Sequence, residues 1–234
     1  MKKLVQKFLY GISKPVVKTY TGTMLNMDVE KKSPFPAGAK IIAPNHPSTG
    51  DPFYVASMLG QQSFIMINDV LFQVPILGEY LRRSGHISVK PGFGQQAIDE
   101  AVEHLKAGHN IIIFPEGRIS PLTGGFYPAK TGVARLALAS GAPVFPVGIH
   151  LQKERLHTLK STVSGKEETS FWYLRGPYHM TVGNAMRFNG DLEDHDLVRR
   201  TAKTIMLKIM RMSYESQLRF FRKNGNLPGT VETV

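Results

Sequence analysis

The stretch "APNHPSTGDPF", positions 43 to 53, places a histidine next to a proline and an aspartate five residues later. His46 and Asp51 make a pair that could do proton chemistry. A carboxylate bonded to one imidazole nitrogen fixes the tautomer and steadies the imidazolium, leaving the other nitrogen to act as a general base. Spacing alone is weak evidence. With eight His and 18 acids in 234 residues, about 0.6 such pairs arise by chance. On a helix, five residues would set the two side chains on different faces. Here Pro47 biases His46 toward extended backbone at a strand end, and Gly50 permits a tight turn. Asp51 is then expected to cap the following helix, with Pro52 at its first helical position.

The second reactive stretch is "IIIFPEGRIS". An apolar strand runs into Pro115, after which Glu116, Gly117 and Arg118 crowd its end. Strand ends in α/β sheets are where ligands bind. An acid and an arginine around a glycine could grip a hydroxyl and a phosphate together, with Gly117 allowing close backbone approach. No nucleophile accompanies the histidine: the chain has no cysteine, and Gly-x-Ser-x-Gly is absent. Any hydroxyl that His46 activates would therefore belong to a substrate. The missing cysteine also excludes disulfides, thiolate catalysis and thiolate-ligated zinc.

Apolar content of 42% and charged content of 20% are those of a folded globular chain. Lys and Arg outnumber Asp and Glu by 29 to 18, so an anionic partner is favoured. Candidates are a phosphate-bearing substrate, an acidic carrier protein or an anionic membrane; no nucleic-acid-binding module is evident. No apolar run approaches the roughly 18 residues of a spanning helix.

Residues 1 to 20 read as an arm separate from the 21–234 domain. Leu4, Val5, Phe8, Leu9, Ile12 and Val16 cover one arc of about 140° on a helical wheel, with Lys3, Lys7, Lys14 and Lys18 opposite. That pattern suits a helix lying in a bilayer interface. Against it stands a helix docked by its apolar arc on the protein's own core. Pro15 is expected to kink or end it.

Strand-like runs alternate with helical ones from "TGTMLNMDVE" through "AKIIAP", "PFYVASML", "SFIMI", the broken-helical "NDVLFQVPILGEYLRRSG", "HISV", "GQQAIDEAVEHLKAG", "HNIIIF" and "TGVARLALASG" to "APVFPVGI". This predicts an α/β layered sheet flanked by helices, preceded by the amphipathic helix. Residues 150 to 176 are polar and fit no element. "YHMTVGNAMRF" returns to strand, and 191–223 reads as one long helix with Gly225 beyond it.

Taken together, these segments resemble the glycerolipid acyltransferases. "NHPSTGD" resembles that family's Asn-His-x4-Asp motif, "FPEGRIS" its Phe-Pro-Glu-Gly block, "GFYPAKTGVARLA" its Lys-x-Gly segment, and "APVFPVGI" its later proline-containing strand. The matches occur in the family's order over about residues 40 to 150. The resemblance implies a glycerolphosphate-acyltransferase-like α/β fold. It implies transfer of a fatty acyl group from acyl-CoA or acyl carrier protein to a lysophospholipid hydroxyl, most simply 1-acyl-glycerol 3-phosphate giving phosphatidic acid. No cofactor is implied, and the setting would be peripheral, on the cytoplasmic face of the cell membrane. By the resemblance His46 is the base and Asp51 its orienting acid. Asn45, Glu116, Gly117, Arg118 and Lys130 contact substrate. Lys90 stands where the family often has a phosphate-holding arginine; lysine offers a point charge there instead of a fork.

Three other readings compete: an acyltransferase with another lipid acceptor, an NAD-dependent oxidoreductase, and a non-enzymatic basic membrane- or nucleic-acid-binding protein. "GFGQQA", after a strand and opening a helix, is the best case for the oxidoreductase. However, "HISVK" is a poor buried strand, and Glu116, the acid that would follow, already belongs to a better match. "GGFYPAKT" misses a phosphate-binding loop, having Ala129 where glycine is required and Pro128 removing an amide.

Overall fold

A computed structural model describes residues 2–163 and 165–223; Gly225, expected to follow the last helix, lies outside them. The chain opens with helix α1 (Lys2–Thr23), followed by strands β1 (Asp28–Lys31) and β2 (Ile41–Pro44). Alternation then carries it through α2 (Asp51–Ser57), β3 (Ser63–Asn68), α3 (Leu77–Ser84), β4 (Ile87–Val89), α4 (Gly94–Lys106), β5 (Asn110–Ile112), α5 (Gly132–Ser140) and β6 (Val144–Leu151). Strands β7 (Leu156–Val163), β8 (Lys166–Tyr173) and β9 (Tyr178–Val182) precede the closing helix α6 (His195–Lys223).

Seven strands form one sheet in the order β1-β9-β6-β2-β5-β3-β4. The five from β6 to β4 run parallel, while β9 meets β6 antiparallel and carries β1 with it. Parallel strands covered on both faces need apolar side chains on both. Successive residues therefore divide between two cores: Ile41, Phe64, Met66 and Ile111 face α4, α5 and α6, while Ile42, Ile65, Ile67 and Ile112 face α2 and α3. Ile42 is fully buried, and its truncation to alanine would cost roughly 2–5 kcal/mol. α6 lies so close on β6 that a Cβ on Gly148 would fall 1.8 Å from the Ser213 nitrogen. Only glycine fits there.

Two expectations change. The strand expected from Thr21 starts only at Asp28, because α1 continues through Pro15 to Thr23. An interior proline costs about 3 kcal/mol. Burial of Thr21 and the packing of Val17 and Tyr20 on the α2 side offset that cost. Residues 150–176, unassigned from sequence, contain the β7–β8 hairpin, a separate two-stranded sheet. Its outer part is solvated on both faces, which removes the alternation that would have revealed strands.

The two readings of α1 differ in which side docks. Gln6, Leu9, Tyr10, Ser13, Val17 and Tyr20 turn toward the body, and Lys14 Nζ donates to the Gly60 carbonyl at 3.0 Å. The apolar side faces out: Leu4, Val5, Phe8, Ile12 and Val16 are 39–74% exposed, with only Leu9 of the arc half-buried. Lys7 and Lys18 are exposed beside it. The arc is therefore not docked on the protein's own core.

Candidate active site

Strands β2 and β5 are neighbours and parallel, so their C-terminal ends deliver His46 and Glu116 to one edge of the sheet. The His46 ring lies 4.1 Å from the Phe114 ring, centre to centre, which fixes its plane. Its Nδ1 stands 3.0 Å from Asp51 Oδ2. With Nδ1–H donating to the carboxylate, Nε2 is the basic nitrogen, and it has no partner among the described residues. The ring keeps 16% exposure, enough for a substrate to reach it.

Asp51 does not cap α2 as expected. Gly50 holds the cap position without a side-chain bond, and Asp51 is the first helical residue. Its carboxylate turns back into the protein, fully buried. Oδ2 accepts from the Ser48 amide at 2.7 Å as well as facing His46, and Oδ1 accepts from the Tyr178 hydroxyl at 2.7 Å. Burial pushes the Asp51 pKa up, and His46, the Ser48 amide and Tyr178 pull against that rise. These partners, not the helix terminus alone, favour its ionised form. Tyr178 is driven well above the usual phenol range by burial and by Asp51, so it stays a donor.

The β7–β8 hairpin clamps the loop between them. Ser48 Oγ donates to Phe171 O at 3.2 Å and accepts from Tyr173 N at 3.0 Å; Thr49 N donates to Phe171 O at 2.7 Å. Consequently, the amides of Ser48, Thr49, Gly50 and Asp51 are all taken within the protein. They are not available to a substrate oxyanion.

Glu116 is 1% exposed and turned inward. Oε1 accepts from His46 N at 3.2 Å and from Ser120 Oγ at 2.5 Å; Oε2 accepts from Tyr127 N at 2.8 Å. Ser120 N returns a bond to His46 O at 2.8 Å. Glu116 thus ties the second motif to the backbone of the first, which leaves little of the carboxylate for the substrate hydroxyl that sequence reasoning gave it. Gly117 has φ +64°, and a Cβ there would meet the Lys130 side chain at 2.8 Å. Arg118 is exposed, its guanidinium 5.0 Å from the Tyr127 ring centre, and Lys130 is exposed beside Gly117.

Two expected substrate contacts sit elsewhere. Asn45 is 3% exposed, donating to Ile149 O at 3.0 Å and accepting from Ile149 N at 2.6 Å. It pins β2 to β6 and does not line the opening. Lys90 directly follows edge strand β4, three strands from β2, or about 14 Å at the usual strand spacing. The sequence reading missed Ser48, Phe114, Ser120, Tyr127 and Tyr178. Ser120 sits inside a recognisable motif; Tyr178 reaches Asp51 from 127 residues away with no local signal.

Residues 26–150 match the sequence model of the family described as Acyltransferase. No curated protein matches the chain in sequence. Among solved structures, the fold is similar to the crystal structure of PlsC, the 1-acyl-sn-glycerophosphate (LPA) acyltransferase from Thermotoga maritima. The TM-score is 0.60 at 21% identity, covering 92% of this chain and 81% of that one.

Proposed function

This chain belongs to the acyltransferase family, and we propose that it acylates a lysophospholipid, with 1-acyl-glycerol 3-phosphate as the foremost acceptor and acyl-CoA or acyl carrier protein as donor. The observation that carries the reading is the His46–Asp51 pair at 3.0 Å, past the end of β2, with Nε2 unengaged among the described residues and the ring partly exposed. Nε2 takes the proton of the acceptor hydroxyl as its oxygen attacks the thioester carbonyl, and Asp51 stabilises the imidazolium. Collapse of the tetrahedral intermediate breaks the C–S bond, and the proton passes from His46 to the departing thiolate. The Arg118 and Ile119 amides donate to nothing among the described residues. They lie in the turn that Ser120 ties to His46, so they are the amides available for the oxyanion.

Acceptor phosphate is assigned to Arg118 and Lys130. Lys90, three strands from His46, fits that task less well and keeps another lipid acceptor as the second reading. The exposed apolar side of α1 beside Lys7 and Lys18 supports peripheral attachment to an anionic bilayer, here the cytoplasmic face of the cell membrane. Among the described residues no helix is long and apolar enough to cross a membrane. The test is mass spectrometry of products from a panel of lysolipids and acyl thioesters. The reading requires an acylated lysophospholipid, and its absence from every combination would refute it.

A further inference from the structure

Strand β6 adjoins β2 on the side opposite β5, and Lys153 follows two residues after β6 ends at Leu151. Lys153 therefore opens the turn after a strand one spacing of about 4.8 Å from the strand that leads into His46, against three spacings for the strand before Lys90. The loop after β5 links the two side by side. Ser120 N donates to His46 O at 2.8 Å, and the next residue, Pro121, accepts from Lys153 Nζ at 2.7 Å.

An ammonium has three donors. Among the described residues the Pro121 carbonyl is the only hydrogen-bond partner of this one. The side chain is half-buried, so its remaining donors are not fully solvated either. Burial lowers the Lys153 pKa, and the negative charges of Glu116 and Glu154 oppose the change. Glu116 acts through its field only, since its oxygens are engaged by His46 N, Ser120 and Tyr127. A partly desolvated cation with unmet donors is stabilised when an anionic acceptor arrives.

We infer that Lys153 reads a phosphoryl group of a substrate on the β6 flank of His46, opposite the flank held by Arg118 and Lys130. The inference rests on the acyl-transfer reading. A lysine point charge suits either the phosphomonoester of an acceptor or the phosphates of a coenzyme A-type donor.

Calorimetric titration of the wild type, Lys153→Met and Lys153→Arg separates the sources. The probes are a short-chain 1-acyl-glycerol 3-phosphate, the matching monoacylglycerol and coenzyme A. Lys153→Met should weaken a phosphate-bearing probe about tenfold, the scale of one charge-assisted hydrogen bond. The monoacylglycerol should stay within about twofold, and Lys153→Arg should retain most of the affinity. Loss on the lysophosphatidate alone assigns Lys153 to the acceptor, loss on coenzyme A alone to the donor, and loss on both to a shared phosphate subsite. Unchanged affinity for both phosphate probes, or equal loss on the neutral one, overturns the inference. So does a wild type that binds neither phosphate probe. Acyl transfer by the wild type is measured separately, so failure of that activity and failure of the Lys153 assignment are distinguishable.

Discussion

Tyr178 donates its phenolic proton to Oδ1 of Asp51 at 2.7 Å, reaching the candidate catalytic pair from β9, 127 residues further along the chain. Asp51 is fully buried, so each bond to its carboxylate helps keep it ionised and aimed at His46. Tyr178→Phe preserves the ring and removes the bond. A hydrogen bond to a charged group is worth about 1.5–3 kcal/mol, of which part reaches the transition state. Steady-state kinetics should show kcat reduced roughly tenfold with acceptor KM little changed. A kcat within about twofold of wild type would mean that the Ser48 amide and His46 suffice to hold Asp51.

His46→Ala removes the group assigned to take the acceptor proton, so transfer should fall roughly 10²- to 10⁴-fold with the fold intact. Asp51→Asn should leave a small residual activity, because Nε2 survives while its tautomer and charge support do not. Purified His46→Ala working within about threefold of wild type would remove the mechanism.

The cations near the opening should not be equal. Substituting Met for Arg118 or Lys130 should raise KM for a phosphate-bearing acceptor more than for the thioester. The same change at Lys90, three strands from His46, should matter less. Equal effects on a neutral monoacylglycerol would show that none of the three reads phosphate.

Because α1 docks through Val17 and Tyr20, its outer face is best tested by substitution, with the helix left in place. Ser at Leu4, Phe8 and Ile12, all 52–74% exposed, should lower binding to anionic liposomes and activity on bilayer substrate. Activity on dispersed short-chain substrate should persist. Glu at Lys7 and Lys18 should act similarly, by on the order of 1 kcal/mol per charge, and added salt should weaken wild-type binding. Liposome co-sedimentation that ignores all these changes would place the membrane contact elsewhere.

Stability should fall on mild acidification. Burial holds His86, which accepts the Ile65 amide at Nδ1, at a pKa of about 4, and lowers His150 to about 4 as well. Both bind protons more readily unfolded, near pH 6.5, so their stabilisation is complete above pH 6.5 and is lost as pH falls through 4. The loss is on the order of 3 kcal/mol per histidine. Asp51, with its pKa pushed up by burial, works in the opposite sense. Urea midpoints that stay flat between pH 7 and pH 4.5 would show that neither histidine must charge on unfolding.

The sequence by itself determined the pieces whose information is local. His46 and Asp51 share one loop of "NHPSTGD", and Glu116, Gly117 and Arg118 share one strand end, so short spacing was enough to present them. Runs such as "IIAP" and "NIII" read as buried strands because both of their faces are covered. The apolar arc of α1 was visible too, but not its direction, since a wheel cannot tell a core from a bilayer. Tertiary structure decided that it faces out. It also decided strand order, which sets Lys153 one strand from His46 and Lys90 three away. The bonds that hold the pair in place, Tyr178 to Asp51, Ser48 to Phe171 and Asn45 to Ile149, join residues 104–127 positions apart. No local pattern encodes such contacts, because they exist only once β6, β8 and β9 are packed around the end of β2.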